Sequence, residues 1–182
     1  MSRIVLLDRD GVLCADRPDF VKSVDELEVL PGVAEALGKL TAAGVRLAVV
    51  SNQSCIGRGI VARQAVDHIN ATLGERLSAH GARLEGFFIC PHAPDAGCAC
   101  RKPRPGLIEA ALSALHAEAS NTWLLGDDLR DLQAAKAAGC RGALMLTGKG
   151  RAKLDQARNV PKFLDVADFS GWFVDEVKCD HP

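Results

Sequence analysis

The sequence predicts an α/β fold: an open parallel sheet with helices on both faces and no separate cap domain. Three observations predict it. Apolar strand-type runs alternate with helical patterns, and β-α-β order implies parallel strands joined by right-handed crossovers. Runs such as Leu47-Ala48-Val49-Val50 are apolar without alternation, which suits strands covered on both faces. The length of 182 residues and a hydrophobic content of 48% suit one domain, residues 1–182, with a full core.

The elements follow in order. Strands are expected over 3–8, 45–50, 86–90, 122–126 and 141–146, each an apolar run bounded by polar or glycine residues. Helices are expected near 32–43, 61–80, 105–118, 129–138, 149–158 and 168–177. Pro31-Gly32 opens the first helix and Gly44 closes it. Gly81 closes the second and Gly139 the fourth. The stretch from Asp16 to Leu30 is too short for a cap domain, so any site at this sheet edge should be open, covered only by loops. No internal repeat, low-complexity tract or linker interrupts the chain.

A net charge of -1 gives no electrostatic case for a nucleic-acid or membrane partner. Mean hydropathy is +0.06, that of an ordinary globular chain. There is no apolar run long enough to span a bilayer and no charged-then-apolar leader before the first strand, so a cytoplasmic protein is expected. A monomer is expected too. Seven cysteines, an odd number, argue against a disulfide framework.

The chemistry concentrates at strand ends. Ile4-Val5-Leu6-Leu7 runs into Asp8-Arg9-Asp10-Gly11. Carboxylates two residues apart at the end of a strand lie on the same side of the chain. They repel each other unless a cation sits between them or one stays protonated. Mg²⁺ fits, since it takes hard oxygen ligands beside a phosphate. Gly11 allows the sharp exit such a loop needs. The tetrapeptide alone would read as a solvated turn, but three later segments change that. Val45 to Val50 ends in Ser51-Asn52-Gln53; Lys102 precedes a helix; Trp123-Leu124-Leu125 ends in Gly126-Asp127-Asp128-Leu129-Arg130-Asp131.

A second cluster has metal spacing. Cys90-Pro-His92 and Cys98-Ala-Cys100 are separated by the five loop residues Ala93 to Gly97. Three thiolates and an imidazole make a closed tetrahedral set, the composition of a structural zinc site. The pairs are tighter than those of a zinc finger, and the alternative is an inert cysteine-rich loop. A zinc-binding loop at 90–100 would brace Arg101 and Lys102, which follow directly. Cys14, Cys55, Cys140 and Cys179 have no comparable partners; Cys14 and Cys140 read as small apolar fillers.

The ordered set Asp-x-Asp, Ser, Lys and Gly-Asp-x-x-x-Asp resembles the four motifs of the haloacid dehalogenase (HAD) superfamily of phosphohydrolases over residues 4–150. That resemblance implies a Rossmann-like, HAD-type sheet. The combination Cys-Pro-His…Cys-x-Cys-Arg-Lys-Pro is similar to the histidinol-phosphatase-type branch. Within it, Ser51-Asn52-Gln53-Ser54-Cys55-Ile56-Gly57-Arg58-Gly59 and Arg101-Lys102-Pro103-Arg104-Pro105-Gly106 resemble the heptose-bisphosphate 7-phosphatases. Three positions depart. Ser51 replaces a commoner Thr and keeps the hydroxyl. Cys55 replaces a Gly, and Asp128 stands where some members carry a substrate-contacting Lys.

The resemblance implies hydrolysis of the C7 phosphate of D-glycero-D-manno-heptose 1,7-bisphosphate, a step toward ADP- or GDP-heptose and lipopolysaccharide precursors. Asp8 would be the nucleophile, forming an aspartyl phosphate. Asp10 would act as general acid and then base. Mg²⁺ would be held by Asp8, a backbone carbonyl at Asp10, and Asp127. Ser51 would donate to phosphoryl oxygens and Lys102 would add charge. Arg101, Asn52, Gln53, Ser54 and the loop from Asp16 to Phe20 would contact substrate. Asp131 would support the site from behind or be a solvated helix residue; Arg58 would be a clamp or a surface charge. His68, His80, His116 and His181 read as surface residues, and Trp172 and Phe173 as core packing. Two rivals remain. One is a histidinol-phosphate or other small sugar phosphatase, favoured by an acidic pocket at Asp16, Asp19 and Asp128. The other is a catalytically silent, zinc-braced binding module.

Overall fold

The computed structural model describes residues 3–179. Six parallel strands form one sheet in the order β3-β2-β1-β4-β5-β6. They are β1 (Ile4–Leu7), β2 (Arg46–Asn52), β3 (Leu84–Cys90), β4 (Thr122–Gly126), β5 (Arg141–Met145) and β6 (Lys162–Phe163). The helices are α1 (Val33–Ala42), α2 (Ser54–Gly57), α3 (Arg63–Ser78), α4 (Gly106–Ala114), α5 (Leu129–Ala137) and α6 (Val166–Cys179). This is the open parallel sheet that the alternating pattern predicts, in the Rossmann-like arrangement that the resemblance implies. His181 lies outside the described residues.

The unalternating strands are buried on both faces. In β1, Val5 and Leu7 pack with Leu37 of α1, Ile69 of α3 and Phe169 of α6. Ile4 and Leu6 point the other way, toward Ile108 of α4 and Ala134 of α5. Each fully buried aliphatic side chain contributes about 1.5–3 kcal/mol. The strand order changes direction at β1, which has β2 on one side and β4 on the other. Open α/β sheets bind ligands in the crevice beyond the strand C-termini at that point.

One expectation of element type is corrected. The segment 149–158 is not an α-helix but a 3-10 turn, Gly150–Lys153, followed by further turns. Gly150 lies against the Met145 carbonyl with no room for a Cβ, and Asn159 adopts a φ of 60° to turn the chain into β6. The strand β6 and the one-turn helix α2 were not expected; two and four residues carry too little periodicity to be read.

Several smaller expectations meet the structure directly. Cys55 lies inside α2, fully buried, with no left-handed backbone angle. Cys140 is a buried filler; Cys14 is buried too, but its thiol donates at 3.6 Å to the Arg9 carbonyl and to Asp10 Oδ1, and no disulfide occurs among the described residues. His68, His80 and His116 are exposed. Phe173 is buried, but Trp172 is 39% exposed, covering the rim of a cluster with Trp123 and Phe163. No helix among the described residues is long and apolar enough to cross a membrane.

Asp128 caps α5: its side chain accepts from the Arg130 amide while Asp131 accepts from the Asp128 amide, a reciprocal capping box. Replacing Asp128 by Ala should therefore cost about 1 kcal/mol. Thermal unfolding should fall by about 2–4 °C. An unchanged melting temperature would remove the cap from the account.

Candidate active site

Four strand ends and one helix entrance bring the site together. Asp8 and Asp10 follow β1, Ser51 and Asn52 end β2, Asp127 follows β4, and Lys149 lies beyond β5. Lys102 enters from the loop before α4. They line one cavity of about 440 Å³ at the C-terminal edge of the sheet.

Lys102 is the most constrained group. It is 1% exposed, and its ammonium meets Asp131 at 2.7 Å, the Val50 carbonyl at 2.8 Å and Asp8 Oδ1 at 3.1 Å. An ammonium has three N–H bonds, and all three are used. Burial opposes the charge, but Asp131 and Asp8 outweigh it and hold the Lys102 pKa above its ordinary value. Asp131 is fully buried, so a solvated helix position is excluded. Burial drives its carboxyl upward against the pull of Lys102.

Asp8, Asp127 and Asp131 each place a carboxylate oxygen within 4.8 Å of the others. Burial, with Asp8 and Asp131 adding to it, pushes the Asp127 pKa up to about 7, although the Lys149 amide donates to it at 2.8 Å. Such a set favours a cation. Asp8 and Asp127 face the cavity, whereas Asp131 is spent on Lys102, so the two former supply hard oxygen donors suited to Mg²⁺. Gly11 and Gly148 press on Asp127 Oδ2 with positive φ angles of 83° and 51°; a Cβ at either would collide with that oxygen. The Asp10 carboxylate is not in this cluster. It turns toward Arg9 and Gln53, leaving only its carbonyl for a metal.

The structure corrects the role expected for one neighbour of Ser51, Gln53. Gln53 is 1% exposed and does not line the cavity; it bonds Asp10 Oδ2 at 2.6 Å, Ser51 Oγ at 2.8 Å and Arg9 at 2.9 Å. It therefore orders the site from behind instead of touching substrate. Because Ser51 Oγ accepts from Gln53, its own hydrogen remains free to donate into the cavity. Asn52 lines the cavity but spends its amide on the backbone of Lys102, with two bonds of 3.1 Å. Ser54 and Asp16 line the cavity as expected, Asp16 paired to Lys149 at 2.8 Å.

The cavity is basic at its walls. Arg9, Arg17, Arg101, Lys102, Arg130 and Lys149 line it against Asp8, Asp10, Asp16 and Asp127. Asp19 and Asp128 do not line it, so the acidic pocket that a cationic substrate would need is not formed. Arg58 is exposed outside the lining, 6.0 Å from the Phe20 ring. Arg101 holds a buried Nη1 with no acceptor, a donor ready for an anion. Sequence reasoning passed over Arg9, Arg130 and Lys149. Arg130 carried one signal: a cation in the first turn of a helix opposes the dipole there and needs another reason to exist.

Cys90, His92, Cys98 and Cys100 converge as the spacing predicts. Cys90 and Cys100 sulfurs are 3.3 Å apart, Cys90 and Cys98 3.7 Å, and His92 Nδ1 lies 3.2 Å from Cys100. The edges of a tetrahedral site with Zn–S near 2.3 Å are roughly 3.8 Å. Burial pushes the Cys90 thiol up to about 12, so a metal binding there would displace its proton. The set is closed and suits structural Zn²⁺. Arg104 ties the loop by bonding the Gly97 and Cys98 carbonyls.

Comparison with known proteins agrees with this geometry. The family model described as HAD-hyrolase-like matches residues 99–169. A Neisseria meningitidis protein named D-glycero-beta-D-manno-heptose-1,7-bisphosphate 7-phosphatase is 43% identical, covering 96% of both chains. A Pseudomonas aeruginosa protein of the same name is 40% identical over 82% of this chain and 85% of its own. The crystal structure of D,D-heptose 1,7-bisphosphate phosphatase from B. bronchiseptica, complexed with magnesium and phosphate, superposes with a TM-score of 0.92. It is 37% identical and covers 96% of this chain and 99% of that one. With 43% identity along nearly its whole length, the chain belongs to the D-glycero-beta-D-manno-heptose-1,7-bisphosphate 7-phosphatase family of HAD-like hydrolases.

Proposed function

We propose that this protein is a Mg²⁺-dependent phosphatase that removes the C7 phosphate of D-glycero-β-D-manno-heptose 1,7-bisphosphate through an aspartyl phosphate. The observation that carries the reading is Asp8 locked against Lys102 and beside Asp127, at the floor of a cavity whose walls carry more cations than anions. The β anomer follows the names of the relatives. The reading includes one HAD-like domain spanning 1–182, acting as a cytoplasmic monomer on a small molecule.

Asp8 Oδ1 is held by the Arg9 amide at 2.8 Å and by Lys102 at 3.1 Å, which leaves Oδ2 to attack phosphorus. The bond from phosphorus to the C7 oxygen breaks, and its electron pair leaves with that oxygen. Asp10 gives the oxygen a proton, then takes one from the water that hydrolyses the aspartyl phosphate. Ser51 donates to a phosphoryl oxygen. Asp8, Asp127 and the Asp10 carbonyl would hold Mg²⁺, which supplies charge neutralisation of the phosphoryl oxygens. Arg17, Arg101, Arg130 and Lys149 are the cations left to read the anomeric phosphate and sugar hydroxyls. Cys90, His92, Cys98 and Cys100 would hold Zn²⁺, whose part is to brace the loop carrying Arg101 and Lys102.

With Mg²⁺, the heptose 1,7-bisphosphate should be hydrolysed with a higher kcat/KM than histidinol phosphate. Asp8→Asn should lower turnover by several orders of magnitude, on the order of 10³-fold or more, since shape is kept and the attacking charge is lost. Histidinol phosphate as the better substrate would overturn the reading.

Arg101→Ala should reduce the preference for a bisphosphate over a generic aryl phosphate. Loss of one charge-assisted contact is worth about 1.5–3 kcal/mol, or roughly ten- to a hundredfold in kcat/KM. Equal slowing of both substrates would show that Arg101 recognises nothing beyond the reacting phosphate.

Metal analysis of purified protein should find about one tightly held Zn²⁺ per chain. Its removal by a chelator, with Mg²⁺ restored in excess, should still depress activity, because the loop bearing Arg101 and Lys102 loosens. Zinc-free protein with full activity would sink this assignment.

A further inference from the structure

Arg9 stands between the two aspartates of the first motif, 1% exposed, and spends its guanidinium inside the protein. Nε and Nη2 donate to Asp10 Oδ1 at 3.2 and 3.0 Å. Nη2 also donates to Gln53 Oε1 at 2.9 Å, and Nη1 donates to Asn70 Oδ1 at 3.0 Å. Asn70 is a buried residue of α3, 61 positions from Arg9, and it does not line the cavity. Gln53, with its carbonyl oxygen fixed by Arg9, must turn its amide nitrogen toward Asp10 Oδ2, where it donates at 2.6 Å.

A carboxylate offers about four lone-pair sites. Two Arg9 donors occupy Oδ1, where the Cys14 thiol also donates at 3.6 Å, and Gln53 takes one site on Oδ2. A single site is left, on Oδ2. We propose that Asn70, acting through Arg9, and Gln53, acting directly on Oδ2, are positioning residues: they fix the Asp10 carboxylate so that one lone pair of Oδ2 carries the transferred proton. The proposal rests on Asp10 being the general acid. It assigns catalytic consequence to a helix residue that touches neither substrate nor the reacting groups. Without the Asn70 oxygen, the buried Nη1 loses its acceptor and the guanidinium can turn. The carboxylate it holds then turns with it.

The test separates positioning from folding by leaving group. The quantity is kcat/KM, which reports only the steps up to departure of the alcohol. Benzyl phosphate and heptose 1,7-bisphosphate have poor leaving groups and need the acid; p-nitrophenyl phosphate does not. Asn70→Leu keeps the volume and removes the acceptor, and Asn70→Asp keeps both. Asn70→Leu should slow the two poor leaving groups about tenfold, a fraction of the usual general-acid contribution, and p-nitrophenyl phosphate less than about twofold. Asn70→Asp should recover most of the loss. Asn70→Ala serves in place of Asn70→Leu if that variant misfolds. Asp10→Asn, measured alongside, should show a larger split of the same kind. If Asp10→Asn shows the split and Asn70→Leu slows all substrates alike or none, the positioning role is overturned and the acid stands. If Asp10→Asn shows no split, the acid assignment falls and takes this proposal with it. Benzyl phosphate keeps the result independent of which sugar is the natural substrate.

Discussion

The Lys102 ammonium is the interaction on which the rest of the site depends. Its three contacts reach three different elements: the carbonyl of Val50 in β2, Asp8 after β1 and Asp131 in α5. A buried cation with one acceptor missing would be strongly destabilising, so these elements must hold their relative places for the charge to exist at all. The same contacts fix Asp8 Oδ1. On the proposed mechanism, the nucleophile's orientation is thus a by-product of solvating a lysine without water.

That lysine must itself be delivered accurately, and two devices do so. Asn52, at the end of β2, grips the Lys102 backbone through both its amide oxygen and its nitrogen. The Cys90–Cys100 loop closes on the other side: Cys90 ends β3 in register with Asn52, and Cys100 comes two residues before Lys102. A metal at this set would lock the segment between two covalently rigid points. With such a metal in place, the zinc-type cluster and the reaction centre, which look like separate motifs in the chain, would be mechanically one object.

Electrostatics divide the cavity by depth. The floor gathers Asp8, Asp127 and Asp131, and burial makes that grouping unfavourable without a cation. The walls carry Arg17, Arg101, Arg130 and Lys149. On the proposed reading, a substrate with a phosphate at each end would meet a cation-seeking floor with one and a cationic wall with the other. A substrate bearing an amine would meet the same wall unfavourably. Asp128, at a position where the resemblance expects a contact to substrate in some members, instead caps α5 and holds Arg130 at 2.9 Å.

The sequence by itself determined the strand and helix alternation, the ordered motif residues Asp8, Asp10, Ser51, Lys102 and Asp127, and the four ligands of the metal-type loop. These are legible because each rests on local chemistry: an apolar run, a residue at its end, a spacing of a few positions. Only the tertiary structure decided what those groups do to one another. Gln53 looked like a substrate contact and proved to face Asp10, Ser51 and Arg9. Asp131 could have been solvated and is buried against Lys102. Arg9 was a residue between two more conspicuous ones until Asn70, 61 positions on, supplied its acceptor. Lys149 had no signal, since its amide meets Asp127 across 22 residues. The physical reason is the same in each case. Whether a polar side chain is free for substrate depends on whether the fold has already satisfied its hydrogen bonds, and those partners come from distant parts of the chain.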